Sequence, residues 1–503
     1  MKSKFKNLGN LCCLLMFLFV VSCANGIDDN ERFSGGVTNA QLESPEINEN
    51  CFSTLANSDG SESVKVTWPL VYGAGGYLFS LSIVDDPSNP IVVVKVSIVD
   101  GCSVIFDKLE DTKYQVSVKT LGNDNLNNKE AASATVYAYS TLVPAVTIPE
   151  GTDIAEYIMA NLQSSTQEQG FELLAGKTYT LNGLVDFDLN TVTFRGDKTN
   201  RPTVIVGPSG GLMTQGGLKV KFINFDCTEM TQIGILTLSG TPSETISTTT
   251  LGYIADGANQ NGYVIENPVI FQECNFKNLK NSFLYGNAKN WSLRDFRITD
   301  CIVQLNNSGS NPVINLQGAS NGLIKNLTIK NNTFYNLSDN SSAYFIRYSN
   351  SSNAQPKKIF GNSGNSSTFD ISYNTFSKTM NGKDFANNLA NTNTLVFNVH
   401  HNIFYDTYRL NKLLSSQGKI YTEGNTIFGV LKTVDSSDTT KKDASGNYYA
   451  ILEDPQFAGP INTAFDLSQD NGGVNFTPAG PVALNTRVVT LVGMENNYMN
   501  YKY

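Results

Sequence analysis

Six segments of the chain align without a gap: Val269–Phe276, Phe296–Val303, Leu327–Phe334, Phe369–Phe376, Phe397–Phe404 and Ile420–Ile427. Apolar residues recur at three fixed positions in the first five and at two of them in the sixth, where Thr422 stands at the second, and a Cys or Asn recurs between them, at Cys274, Cys301, Asn332, Asn374, Asn402 and Asn425. Successive bend residues are 27, 31, 42, 28 and 23 positions apart. A unit this short cannot bury its apolar face alone and must stack on its neighbours, so the segment is read as a solenoid. Apolar and polar residues alternate as they do in strands, so each unit reads as strand, bend, strand. The intervals suit one coil of a parallel β-helix, the longest carrying an added loop, and do not suit propeller blades.

The bend residue has a physical role. Coils of a β-helix stack at about 4.8 Å. One Asn per coil at the same corner then forms a ladder of amides bonded along the axis, satisfying groups that the turn would otherwise bury unpaired. A thiol fits the same small slot, so Cys274 and Cys301 are expected at the start of the ladder, and Lys221–Cys227 reads as an earlier, weaker copy. This strand, Asn bend and strand pattern resembles the right-handed β-helix of the pectin-lyase-like superfamily. That superfamily carries lyases, hydrolases, epimerases and proteins without catalysis, so the resemblance implies a fold and not an activity.

Upstream, short alternating strands begin at Ser63–Trp68 and continue at Tyr77–Ile83, Ile91–Val99 and Tyr114–Val118, separated by Gly, Pro and Asp turns. That spacing indicates a β-sandwich. The run Leu109–Val118 resembles the tyrosine corner of a fibronectin type III domain, and Trp68 fits that family's core tryptophan. Thr152–Leu162 reads as a short amphipathic helix with Ile154, Ile158 and Leu162 on one face, suited to capping the open end of a solenoid. The expected fold class is all-β: a fibronectin type III-like N-terminal sandwich, then a right-handed parallel β-helix with an N-terminal cap helix.

The N-terminus reads as an address. Lys2, Lys4 and Lys6 precede an eleven-residue apolar run, Leu11–Val21, too short to span a bilayer. Val20-Val21-Ser22-Cys23 resembles the lipobox of bacterial lipoproteins, which implies cleavage before Cys23 and its lipidation; the acidic residues behind it resemble a surface-export signal. The chain then divides into a lipoprotein signal peptide (1–22), an anchor and linker (23–45), the sandwich (46–143), the β-helix (144–450) and a C-terminal closing segment (451–503). Cys51 and Cys102 could pair in an oxidising envelope or stay as free thiols. Loss of the three lysines takes the net charge from −9 to −12, which disfavours nucleic acid as a partner. The whole order resembles a family of bacterial surface lipoproteins associated with glycan, notably pectin, utilisation. It implies a lipid-anchored protein of the outer membrane, exposed on the cell surface.

In the superfamily, sugar chains lie along an exposed sheet formed by the strands that precede the one entering the Asn bend. Candidates here are Phe283–Tyr285, Val313–Leu316, Tyr344–Tyr348 and Asn411–Leu414, and alternation turns Tyr285, Asn315, Arg347 and Lys412 outward. An aromatic, an amide and two cations could grip an acidic, pectin-like polysaccharide. A polyuronate lyase acting by β-elimination would use Arg347 or Lys412 as base and, as the resemblance implies, calcium held by clustered carboxylates; Asp300, Asp339 and Asp370 are instead scattered singly. His400 and His401, as adjacent strand residues, are expected to face opposite ways and to be structural. Three readings stand: a surface lipoprotein that binds an acidic glycan, with or without processing it, a polysaccharide lyase, and a non-catalytic adhesion or scaffold protein.

Overall fold

The computed structural model of the protein describes residues 35–58, 61–253 and 261–318, most of 320–429, and shorter stretches within 450–480. The N-terminal address, including Cys23, lies outside the described residues. The chain divides into two compact units that meet between Leu142 and Val143.

The first unit contains two antiparallel sheets. One has three strands, Phe52–Ala56, Glu62–Thr67 and Ser103–Asp107; the other runs in the order Ile91–Val99, Tyr77–Ile83, Lys113–Thr120, Thr135–Ser140. Their inward residues share one core, in which Trp68 stacks on Phe79 at 6.1 Å and meets Tyr77 edge-on at 5.5 Å. The Leu109 N–H donates to the Tyr114 hydroxyl at 2.9 Å, pinning the turn that leads into Lys113–Thr120. Burial pushes that phenol up to about 12. Cys51 and Cys102 are free thiols.

The second unit is a parallel β-helix of three sheets. An entry sheet leads into the bend, an exit sheet leads out of it, and a return sheet completes each coil. Between Ser282 and Leu305, for example, the chain runs through the return strand Ser282–Tyr285, the entry strand Trp291–Thr299 and the exit strand Ile302–Leu305. The six aligned segments stand in the register in which their sequences align: Val269, Phe296, Leu327, Phe369, Phe397 and Ile420 are successive partners along the entry sheet. Because like positions stack on like, the core is built of columns. On the exit side the rings of Phe334, Phe376 and Phe404 lie nearly parallel, 5.6 and 5.2 Å apart. The weaker copy stacks beneath the first of the six: Lys221 pairs with Gln272 and Asn224 with Asn275, so its bend slot holds buried Ile223.

The bend itself turns on one residue in the left-handed region. Phe222, Glu273, Asp300, Asn331, Tyr373 and His401, each just before the slot, have φ between 52° and 59°, and Gly424 has φ 61°. A left-handed residue costs an L side chain roughly 1–2 kcal/mol, and here the stacked coils on both sides hold it. The slot residue that follows points into the corner.

At the N-terminal end, the helix Ile154–Asn161 buries Ile154 and Ile158 against the first coil. The Asp153 carboxylate accepts from the N–H groups of Ala155 and Glu156 and, through its other oxygen, from Thr180 and Asn182, which ties the cap to the coil beneath. At the other end, the described C-terminal residues lie along the outside of the exit sheet. Phe465, Val474 and Phe476 pack on Ile302 and Tyr335, Phe457 meets Tyr405, and the Leu467 carbonyl accepts from Asn224. This segment therefore covers a side of the β-helix as well as following its last coil.

Candidate functional site

With part of the outer face of the exit sheet covered by the C-terminal segment, the return and entry sheets carry the outward rows in which the candidate residues lie. On the return sheet Thr237, Tyr285, Asn315, Arg347 and Asn387 are successive register partners and form one row across five coils. Tyr285 and Arg347 are half-buried. Asn315 between them is only 1% exposed, and its Oδ1 accepts from the Gln317 N–H at 3.2 Å, so it holds the following turn as well as the row. Lys412 lies outside the described residues.

Arg347 is the unusual member. Its guanidinium carbon lies 5.2 Å from the centroid of the Tyr344 ring, and Lys383 Nζ lies 5.9 Å from the same ring. The Nε of Arg347 is buried and has no hydrogen-bond partner among the described residues. Several other cations of this unit are paired with carboxylates: Arg195 with Glu172, Lys219 with Glu168, Lys277 with Asp226, Arg294 with Glu266, Lys378 with Asp339. A buried donor left unmade costs about 1–3 kcal/mol, and a guanidinium fork matches a planar carboxylate with two parallel hydrogen bonds. The Arg347, Tyr344 and Lys383 group is thus suited to taking an anion.

Strict alternation through Tyr344–Tyr348 puts Phe345 on the same face as Arg347. The structure differs. The strand begins only at Ile346, and Phe345 and Ile346 both enter the core at the corner, which swings Tyr344 out beside Arg347. Lys383 comes from the loop of the next coil, whose return strand is only Ala386–Asn387. Neither Tyr344 nor Lys383 has a periodic signal in the sequence.

On the entry sheet the outward columns are Arg297, Thr328, Asp370, Asn398, Tyr421 and, beside them, Gln272, Thr299, Lys330, Ser372, His400, Glu423. Arg297 is held by Asp295, and Ser372 is 1% exposed. The side chain of Glu423 lies outside the described residues. Asp370 and His400 approach each other, Oδ1 to Nε2 at 3.7 Å. The two histidines do not face opposite ways: the strand ends at His400, His401 occupies the left-handed turn, and their Nδ1 atoms are 3.1 Å apart.

At the bend, Asn374 Nδ2 donates to the Ile329 carbonyl at 2.7 Å and to Asn402 Oδ1 at 2.9 Å; Asn332 reaches Ile298 and Asn374, and Asn402 reaches Ile371 and Asn425, in the same way. The Cys301 N–H donates to Asn332 Oδ1, and the thiols of Cys274 and Cys301 point to the carbonyls of Gln272 and Thr299. Among the described residues no group of three or more His, Cys, Asp or Glu is placed to hold a metal ion.

Two family models match the chain. DUF4992, described as a domain of unknown function, matches residues 2–178, and DUF4957, also a domain of unknown function, matches residues 177–337. No curated protein matches it in sequence. Among solved structures, it is similar to the catalytic unit of a thermostable GH87 alpha-1,3-glucanase from Streptomyces thermodiastaticus, at 12% identity over 83% of this chain and 92% of that one, with a TM-score of 0.23. It is also similar to a pectate lyase from Pectobacterium carotovorum, at 10% identity over 80% of this chain and 94% of that one, with a TM-score of 0.18.

Proposed function

We propose that the protein is a lipid-anchored surface protein that binds an acidic polysaccharide along the return sheet of its β-helix, with Arg347 taking a sugar carboxylate. The observation that carries this reading is the half-buried guanidinium whose Nε has no hydrogen-bond partner among the described residues, in a protein of net charge −9. A carboxylate from a ligand supplies the missing acceptor. Lys383 adds a second positive charge at the same ring, and Tyr285, two coils away, offers an aromatic surface to a neighbouring sugar. Strands about 4.8 Å apart repeat the row at a spacing comparable to one sugar unit, which suits a polymer better than a single small anion. The anchor of the reading is Cys23, through the lipobox.

Affinity electrophoresis and calorimetry against polygalacturonate, with a neutral glucan as control, test the proposal. Polygalacturonate is expected to bind in a salt-dependent manner, Arg347→Ala to remove binding without lowering the urea midpoint, and Lys383→Ala to weaken it and reduce the salt dependence. Equal retention of the neutral and acidic polymers, or unchanged binding by Arg347→Ala, overturns it. Following the same mixture for unsaturated products by ultraviolet absorbance, with and without calcium, separates binding from β-elimination.

A further inference from the structure

The pair His400 and His401 has no place in the return-sheet site, and its geometry is specific. The two Nδ1 atoms are 3.1 Å apart, with the ring planes at 87°. This closeness exists because His401 has left the strand for the left-handed turn, φ 59°, where its ring swings to the side that His400 faces. The ring of His401 is clamped. It lies parallel to Tyr373, 4.8 Å away and tilted by 4°, and on the next coil Gly424 lets it approach so closely that a Cβ there would fall 2.8 Å from Cδ2. Behind His400, Asp370 Oδ1 is buried, lies 3.7 Å from Nε2 and makes no hydrogen bond among the described residues.

We infer that His400 and His401 form a site for a transition-metal ion of the zinc, copper or nickel kind, ligated through both Nδ1 atoms. An ion about 2.0–2.1 Å from each nitrogen subtends a 3.1 Å edge at about 100°, an angle found in both tetrahedral and octahedral shells. Imidazole donors select these ions over calcium and magnesium, which take oxygen. Without the ion, the short Nδ1 contact needs one ring to donate and the other to accept. With the ion both Nδ1 atoms are lone-pair donors, so both rings carry their proton on Nε2, and the Nε2–H of His400 then faces the Asp370 carboxylate that lacks a donor. That is the carboxylate, histidine, metal arrangement in which the outer carboxylate orients the ring and raises its basicity. Among the described residues no third His, Cys, Asp or Glu joins the pair.

The sequence makes the test clean, because the chain contains 2 histidines in all. The protein, carrying no polyhistidine tag, is titrated with zinc by calorimetry, and the imidazole 15N spectrum, which contains only these two rings, is recorded alongside. One equivalent is expected to bind, with both Nδ1 resonances moving to metal-bound positions and both Nε2 atoms protonated. Copper(II) should give an electron paramagnetic resonance spectrum with hyperfine structure from two nitrogens. His400→Ala and His401→Asn, the latter chosen because Asn tolerates the left-handed region, should each abolish the one-to-one binding while circular dichroism stays unchanged. Asp370→Asn should weaken it about ten- to a hundredfold. Coordination through Nε2, zinc binding retained by either histidine variant, or no saturable binding at millimolar zinc overturns the site.

Discussion

Asn374 gives its Nδ2 proton to Oδ1 of Asn402 at 2.9 Å, and the same oxygen takes the backbone N–H of Asn374 at 3.0 Å. One amide therefore closes the corner of its own coil and fastens the next. Asn332 stands to Asn374, and Asn402 to Asn425, in the same relation, so the corner is a continuous polar column inside an apolar wall.

Replacing Asn374 by Leu removes the acceptor for two donors of Asn332 and the donor for the Ile329 carbonyl. Each buried group left unmade costs about 1–3 kcal/mol, so urea melts should show a loss of at least about 2 kcal/mol. Ser372→Ala is the matched control. Its hydroxyl is buried and makes no hydrogen bond among the described residues, so the change should fall within about 0.5 kcal/mol or stabilise slightly. Equal midpoints for the two variants would contradict the ladder.

Thiol reactivity should divide the five cysteines after Cys23 sharply. Cys227, Cys274 and Cys301 are buried, whereas Cys51 and Cys102 are half-buried. Burial pushes the Cys227 thiol far up, and burial together with neighbouring Cys274 does the same to Cys301. Native protein beginning after Cys23 should react with a thiol reagent at no more than two sites, and unfolded protein at all five. Rapid reaction of three or more in the native state would place a slot thiol at the surface.

Acid should weaken the tie between two exit strands. Burial alone would raise the Asp226 carboxyl, but the Thr228 hydroxyl and the Lys277 ammonium, at 3.0 Å, hold it below its ordinary value. A folded value below the unfolded one contributes stability above the usual carboxylate range, and that contribution disappears as the pH falls through the depressed value. Asp226→Asn should therefore lower the urea midpoint at pH 7 and differ progressively less from the parent as the pH falls below about 4. A gap that persists undiminished in acid would locate the effect in packing and not in charge.

Cys23→Ala should release the protein from the membrane fraction into the periplasm or medium, because lipid attachment is the proposed anchor. Among the described residues no helix is long and apolar enough to cross a membrane. Fractionation of cells expressing the variant checks this, and undiminished membrane association would count against the lipobox.

The repeats were legible because a solenoid converts sequence period into contact. Val269, Phe296, Leu327, Phe369, Phe397 and Ile420 occupy equivalent positions in a gapless alignment and are also hydrogen-bonded neighbours. The same logic brought Tyr285, Asn315 and Arg347 into one row. It failed at corners. Ile223 took the slot of the weaker copy, Ser372 was buried, Tyr344 swung outward and His401 left its strand, since alternation predicts facing only while the backbone stays extended.

By itself, then, the sequence determined the all-β class, the parallel stacking and the coil-to-coil register, because one apolar pattern repeated at coil length has a single way of burying every copy. Tertiary structure decided what the periodic signal does not contain: the left-handed residue at each bend, the loop that sets Lys383 beside Tyr344, the Arg347 Nε left without a partner among the described residues, and the approach of two imidazoles across a turn. These depend on where the chain stops being periodic, and there the outcome is set by contacts between coils whose residues are far apart in sequence.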